Sequence, residues 1–130
     1  MKLVLSLSET SSFGQVRRRC QSHRVGGSKV LKGNGWYYMV CAIGGTPDPS
    51  TSHMVTVEPS STAAGPWEVC PCDPIIRTRL RHEQWWSCGD GTIFITPAGD
   101  WWMAHNTYER GYYTLGRSMV LAAILWTEDG

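Results

Sequence analysis

From residue 25 onward the chain alternates short runs dense in β-branched and aromatic residues with clusters of Gly, Pro, Asn, Asp and Ser. Such runs, bounded by turn residues, read as strands. The pattern predicts them over residues 30–32, 36–42, 53–58, 92–96, 101–105 and 119–126. No stretch holds a helical period, and the connections at 44–49 and 59–66 contain enough Gly, Pro and Ser to break a helix. The apolar run 119–126 is far shorter than the ~20 residues that span a bilayer, so it reads as a buried strand. Residues 1–24, rich in Ser, Arg and Gln, show little periodicity after Leu7 and read as an irregular leader. The expectation is an all-β domain over residues 25–130.

One design occurs twice. Gly89-Asp90-Gly91-Thr92-Ile93-Phe94-Ile95-Thr96-Pro97-Ala98-Gly99-Asp100-Trp101-Trp102-Met103 reads as a strand, a Gly-rich turn and a strand opening on paired tryptophans. Lys32-Gly33-Asn34-Gly35-Trp36-Tyr37-Tyr38-Met39-Val40 has the same form, with Tyr37-Tyr38-Met39 answering Trp101-Trp102-Met103 at an offset of 64 residues. Self-similarity at a fixed spacing marks repeat architectures, and a recurring hairpin fits repeated four-stranded sheets.

The 42% hydrophobic content of these 130 residues can supply one core. A net charge of +1 generates no field that would draw nucleic acid or an anionic membrane, so neither is expected as a partner. The basic run Arg17-Arg18-Arg19 reads as a solvated arm. The apolar stretch opening at Leu3 is shorter than the ~7–15 residues of a signal-peptide core. Five cysteines, Cys20, Cys41, Cys70, Cys72 and Cys88, leave one over in any disulfide scheme and form no paired C-x-x-C zinc pattern. They read as free thiols, and hence as a sign of a reducing compartment or of a chain not selected for oxidative folding; the location is left unknown, with the cytoplasm favoured in the absence of a convincing signal peptide.

Seven tryptophans each need a place for a large ring and a partner for the indole N–H. Trp36, Trp101, Trp102 and Trp126 lie in strand patterns and read as core. Trp85 and Trp86 follow the charged 79–83 stretch and precede a Gly-rich turn, a loop setting where a ring could equally pack inward or stack on a sugar face. His105 alternates with apolar neighbours and reads as a hydrogen-bonded structural histidine. His23 and His82 lie in polar surroundings. No Gly-x-Ser-x-Gly elbow or cysteine-histidine pattern supports a covalent nucleophile.

Seven landmarks run in order: Gly44-Gly45-Thr46, Thr51-Ser52-His53-Met54-Val55, Gly65-Pro66-Trp67-Glu68, Asp73-Pro74-Ile75-Ile76, Trp85-Trp86-Ser87, Gly99-Asp100-Trp101-Trp102 and Tyr113-Thr114-Leu115-Gly116-Arg117. The series resembles glycoside hydrolase family 43, which contains β-xylosidases and α-L-arabinofuranosidases built on a five-bladed β-propeller. The resemblance implies a partial propeller, about blades three and four running toward five, from an enzyme that hydrolyses O-glycosidic bonds of xylose- or arabinose-containing plant polysaccharides. Exposed blade faces would then favour self-association.

The family's reaction is inverting, with an acid and a base on opposite sides of the sugar. The resemblance places the base and an orienting aspartate in blades this chain lacks. It aligns the acid with Gly26, which cannot donate a proton, so no catalytic residue is assigned and the isolated chain is expected to be inactive. The resemblance points to Arg117 and His53 as pocket residues, beside the sugar-stacking reading of Trp85 and Trp86. No cofactor is required. Asp90 stands where the family has a histidine that helps hold an ion or water at the propeller axis; it reads as a turn aspartate or, more weakly, as a ligand for a structural cation. The alternative from another class is a non-catalytic carbohydrate-binding module.

Overall fold

The computed structural model describes residues 2–4, 25–45 and 53–127. Nine strands run in chain order: β1 Lys2–Val4, β2 Val25–Gly33, β3 Trp36–Ile43, β4 Met54–Ser60, β5 Ile76–Arg77, β6 Trp85–Ile95, β7 Trp101–Glu109, β8 Arg117–Ala123 and β9 Leu125–Thr127. A single 3-10 turn spans Tyr113–Leu115. The first sheet has the order β2-β3-β4-β5 and the second β6-β7-β8; β1 and β9 form a separate antiparallel pair. The strand at Lys2–Val4 departs from the irregular leader expected there, because its backbone finds a partner in Leu125–Thr127. Residues 5–24, with Cys20, His23 and the arginine run, lie outside the described residues.

Both repeated segments form hairpins. β2 and β3 turn through Asn34 and Gly35, whose positive φ angles of 50° and 85° suit an Asn-Gly pair. β6 and β7 turn through residues 96–100, where the Thr96 N–H donates to the Asp100 carbonyl at 2.8 Å and the Gly99 N–H to the Thr96 carbonyl at 2.9 Å. The short strand β5 escaped the sequence pattern because only two residues pair. It lies against β4 through Met54 and Val55.

The sheets meet face to face. Tyr38, Val40, Val55 and Val57 of the first, with Ile75 and Ile76, pack against Cys88, Ile93, Met103, Ala122 and Ile124. At the edge of this core Trp101 stands edge-on to Trp126, ring centroids 5.0 Å apart, and Trp126 tilts against Tyr38 at 5.1 Å. Gly33 is required at this corner, since a Cβ there would overlap the Trp101 ring. Trp36 is exposed, correcting its core reading, because it closes the hairpin beyond the packed faces. The run 119–126 is also not one buried strand. It breaks at Ile124; Ala122 and Ile124 are buried and Trp126 packs at the core edge, while Met119, Leu121 and Leu125 face out.

Candidate functional site

At the Gly89-Asp90-Gly91 triplet β6 packs tightly against residues at the start of β4. A Cβ on Gly89 would run into the imidazole of His53, and one on Gly91 would lie 2.8 Å from Met103 Sδ and 3.0 Å from Val55 Cγ1. Both glycines are therefore packing requirements. Here β6 bulges: its register to β7 shifts between Trp86 and Gly89 and again between Gly89 and Thr92, and Ser87 and Asp90 take φ angles of 56° and 53°. Hydroxyls replace the interrupted ladder. The Thr78 hydroxyl donates to the Trp85 carbonyl at 3.1 Å and accepts from the Ser87 N–H at 3.0 Å, while the Thr107 hydroxyl donates to the Trp86 carbonyl at 2.8 Å. The bulge fixes where Asp90 projects.

Asp90 meets Arg117, the first residue of β8. Arg117 Nη1 donates to Asp90 Oδ2 at 3.2 Å, and Asn106 Nδ2 approaches the same oxygen at 3.5 Å. His53, fully buried just before β4, lies under the pair against Gly89. Burial pushes its imidazole below the ordinary histidine range, with Asp90 pulling upward, Arg117 pushing downward and a hydrogen bond to the Ser87 backbone pulling upward. The ring is therefore neutral at pH 7. Its Nδ1 and the Ser87 hydroxyl are buried without a hydrogen-bond partner among the described residues. Gly27, at φ 60°, faces Asp90 Oδ1: a Cβ there would lie 3.2 Å away. Beside it Gly26 is exposed, with nothing within 4 Å of where its Cβ would stand. Gly26, His53, Asp90 and Arg117 thus gather from the beginnings of three strands and one bulge.

The tryptophans do not join them. Trp85 opens β6 rather than lying in a loop, and it packs on the core cluster because its pairing with Glu109 turns it inward. Trp86 turns to the other face, where its Nε1 donates to the Glu83 carbonyl at 2.9 Å and its ring tilts against Tyr113 at 6.0 Å. Neither ring presents an open sugar platform. His105 is buried, its Nδ1 3.4 Å from the Asn106 carbonyl, and burial lowers its pKa. It lines the interior and not the site.

Asp90 Oδ2 faces the Arg117 guanidinium and Oδ1 faces Gly27, and no group of three or more His, Cys, Asp or Glu that could hold a metal ion occurs among the described residues. Asn106 is the site residue that sequence reasoning missed. Its register opposite Gly89 became visible only once the bulge was placed.

The chain matches the family described as Glycosyl hydrolases family 43 over residues 6–130. It belongs to that family. The match begins inside the stretch read as a leader. A xylan 1,3-β-xylosidase from Vibrio is 32% identical over 119 residues, 79% of this chain and 22% of the relative. A non-reducing end α-L-arabinofuranosidase from Bacteroides ovatus is 26% identical over 130 residues, 94% of this chain and 24% of the relative. The crystal structure of a family 43 protein from Bacillus licheniformis superimposes with a TM-score of 0.77 at 31% identity, covering 86% of this chain and 22% of that one. The family 43 chain described here thus spans less than a quarter of the length of these relatives. Its two sheets are blades of a five-bladed β-propeller, about the third and fourth, running toward the fifth.

Proposed function

We propose that this chain is a section of a family 43 glycoside hydrolase that cleaves xylose- or arabinose-containing plant polysaccharides by an inverting reaction, and that it contributes pocket wall without catalytic carboxylates. The observation that carries the reading is the convergence of His53, Asp90 and Arg117 beside Gly26, at one end of both sheets, in a chain of this family. Inversion needs a proton donor and a separate base that activates water across the sugar ring. Gly26 offers no donor. Asp90 accepts a hydrogen bond from the Arg117 guanidinium at 3.2 Å, and in this reading it takes no part in proton donation.

The space around Gly26 is compatible with the alignment, because a Cβ there would meet nothing within 4 Å and a longer side chain would displace no packed atoms at its base. The test is hydrolysis of nitrophenyl β-xyloside and α-L-arabinofuranoside. The chain as it stands is expected to give no turnover, Gly26→Glu alone none, and Gly26→Glu combined with the blades found in the longer relatives measurable turnover. Activity of the unaltered chain, lost on heating and absent from a mock purification, overturns the assignment of Gly26. The two rings read as sugar platforms do not favour the binding-module alternative, since Trp85 is inward and Trp86 is pinned between Glu83 and Tyr113.

A further inference from the structure

We propose that Asp90 is a specificity-determining residue that holds Arg117 and cancels its charge, so that the pocket takes neutral sugars and rejects uronic acids. The inference rests on the pocket reading above and names its substrate class. The ion pair is partly exposed, its side chains at 29% and 35% of their free surface, and a pair of that kind contributes on the order of 0–1 kcal/mol to stability. Fold stability is thus a weak reason for an aspartate at φ 53° on a bulge. Geometry gives a stronger one. A lone guanidinium at a pocket wall is a bidentate receptor for carboxylates, and a sugar acid would occupy it ahead of any neutral sugar.

With Asp90 in place one edge of the guanidinium is already engaged, and the remaining N–H groups can still donate to sugar hydroxyls. Of the surrounding groups, His53 beneath is neutral and Asn106 is uncharged, while the Lys29 ammonium, donating to the Gly91 carbonyl at 3.4 Å, keeps its positive charge. Asp90 therefore cancels the guanidinium, and removing it raises the local charge by one and leaves two cations, Arg117 and Lys29, beside the site.

The experiment titrates the isotope-labelled full chain with D-xylose and with D-glucuronate, following by NMR the backbone amide resonances of residues 89–91 and the Asn106 side-chain amide, which every variant retains. Asp90→Asn is the main variant, since asparagine accepts a positive φ and keeps an oxygen toward Arg117 and Asn106. The unaltered chain is expected to bind glucuronate no more tightly than xylose. Asp90→Asn is expected to shift the affinity ratio toward glucuronate by at least tenfold, and the double variant Asp90→Asn with Arg117→Gln to lose that shift. Arg117→Gln alone, which does not depend on Asp90→Asn folding, leaves the Asp90 charge uncancelled and is expected to lower the ratio of glucuronate to xylose affinity below that of the parent. An unchanged ratio in Asp90→Asn with xylose still bound overturns the inference and leaves the pocket reading standing. A shift that persists in the double variant, or a ratio that rises toward glucuronate in Arg117→Gln alone, overturns the role given to the ion pair. Binding of neither sugar to any chain overturns both readings.

Discussion

The two sheets are built from the same hairpin, yet the same face of it is buried in one and open in the other. In β3 the inward residues are Tyr38, Val40 and Ala42. The 64-residue repeat sets Tyr38 against Trp102 in β7, but β7 turns the opposite parity inward, burying Met103, His105 and Thr107. This inversion is what stacking in one rotational sense produces. Each sheet uses one face toward the next sheet and the other toward the previous one, so the only contact available to two sheets joins unlike faces. The face of the second sheet that answers the buried face of the first is left uncovered, and it carries Phe94, Met119 and Leu121 exposed beside the half-buried Trp102 and Ala104. Burial here follows from neighbours present, not from residue type.

Two methionines break or sharpen that comparison most directly. Met103 is 0% exposed and touches the point where Gly91 and Val55 meet, whereas Met119 is 69% exposed. Met103→Ala is expected to lower unfolding free energy by about 2–5 kcal/mol, through lost transfer energy and the cavity left behind. Met119→Ala is expected to stay within about 0.5 kcal/mol of the parent. Chemical denaturation of both variants, compared at constant m-value, measures the difference. Equal effects would mean that the two faces are equally packed and that the uncovered face is occupied in solution.

Most of the hairpin content was legible because a turn and its flanking strands are local. Asn34-Gly35 demands positive φ angles, and paired aromatic residues mark the strands that follow both turns. What was not legible depends on distant partners. Trp85 and Trp86 looked like a loop because Ser87 to Gly91 reads as turn chemistry, and only Thr78 and Thr107, from other elements, show that the segment is a bulged strand. The apolar run ending at Trp126 cannot reveal from its own residues that the neighbour covering one side is absent. The site was visible as landmark residues, Gly26, His53, Asp90 and Arg117. Their mutual geometry, and Asn106 among them, needed the register of β6, β7 and β8.

The next prediction concerns the first sheet, behind which a half-buried carboxylate, Asp73, stands against β4. Asp73 accepts the Val57 N–H at 2.8 Å from behind β4, and burial pushes its pKa up to about 7, with Glu58 adding repulsion and the Val57 bond pulling the other way. The unfolded carboxyl has the ordinary value of 3.8. The folded state therefore holds the proton more tightly. Its contribution to stability is fully present below pH 4 and is lost as pH rises toward 7, by on the order of 2–4 kcal/mol. Asp73→Asn, which keeps an acceptor for Val57 and never ionises, is expected to flatten that slope and to be more stable than the parent at pH 8. Denaturation midpoints at pH 4, 5.5, 7 and 8 for both chains check it; parallel profiles would mean that Asp73 is solvated.

The smallest expected effect on stability is also the most direct probe of the uncovered face. Met119 and Leu121 stand on β8 opposite Asn106 and Ala104, on the same surface as Trp102 and Phe94. Exposed apolar patches on blade-like sheets promote association, because each sheet offers what another sheet's inner face is shaped to cover. Replacing both residues, Met119→Lys with Leu121→Lys, removes apolar surface that contacts little within the chain and adds two like charges to the edge strand, a combination that opposes pairing with a second sheet. Unfolding free energy is expected to change by no more than about 1 kcal/mol, while the concentration-dependent increase in sedimentation coefficient expected for the parent disappears. Val30→Lys, at an exposed position on the first sheet, supplies the control for added charge. If Val30→Lys suppresses association as strongly as the double substitution, both outer faces take part and assembly proceeds head to tail. If neither variant alters sedimentation, the apolar face of the second sheet is not what brings chains together.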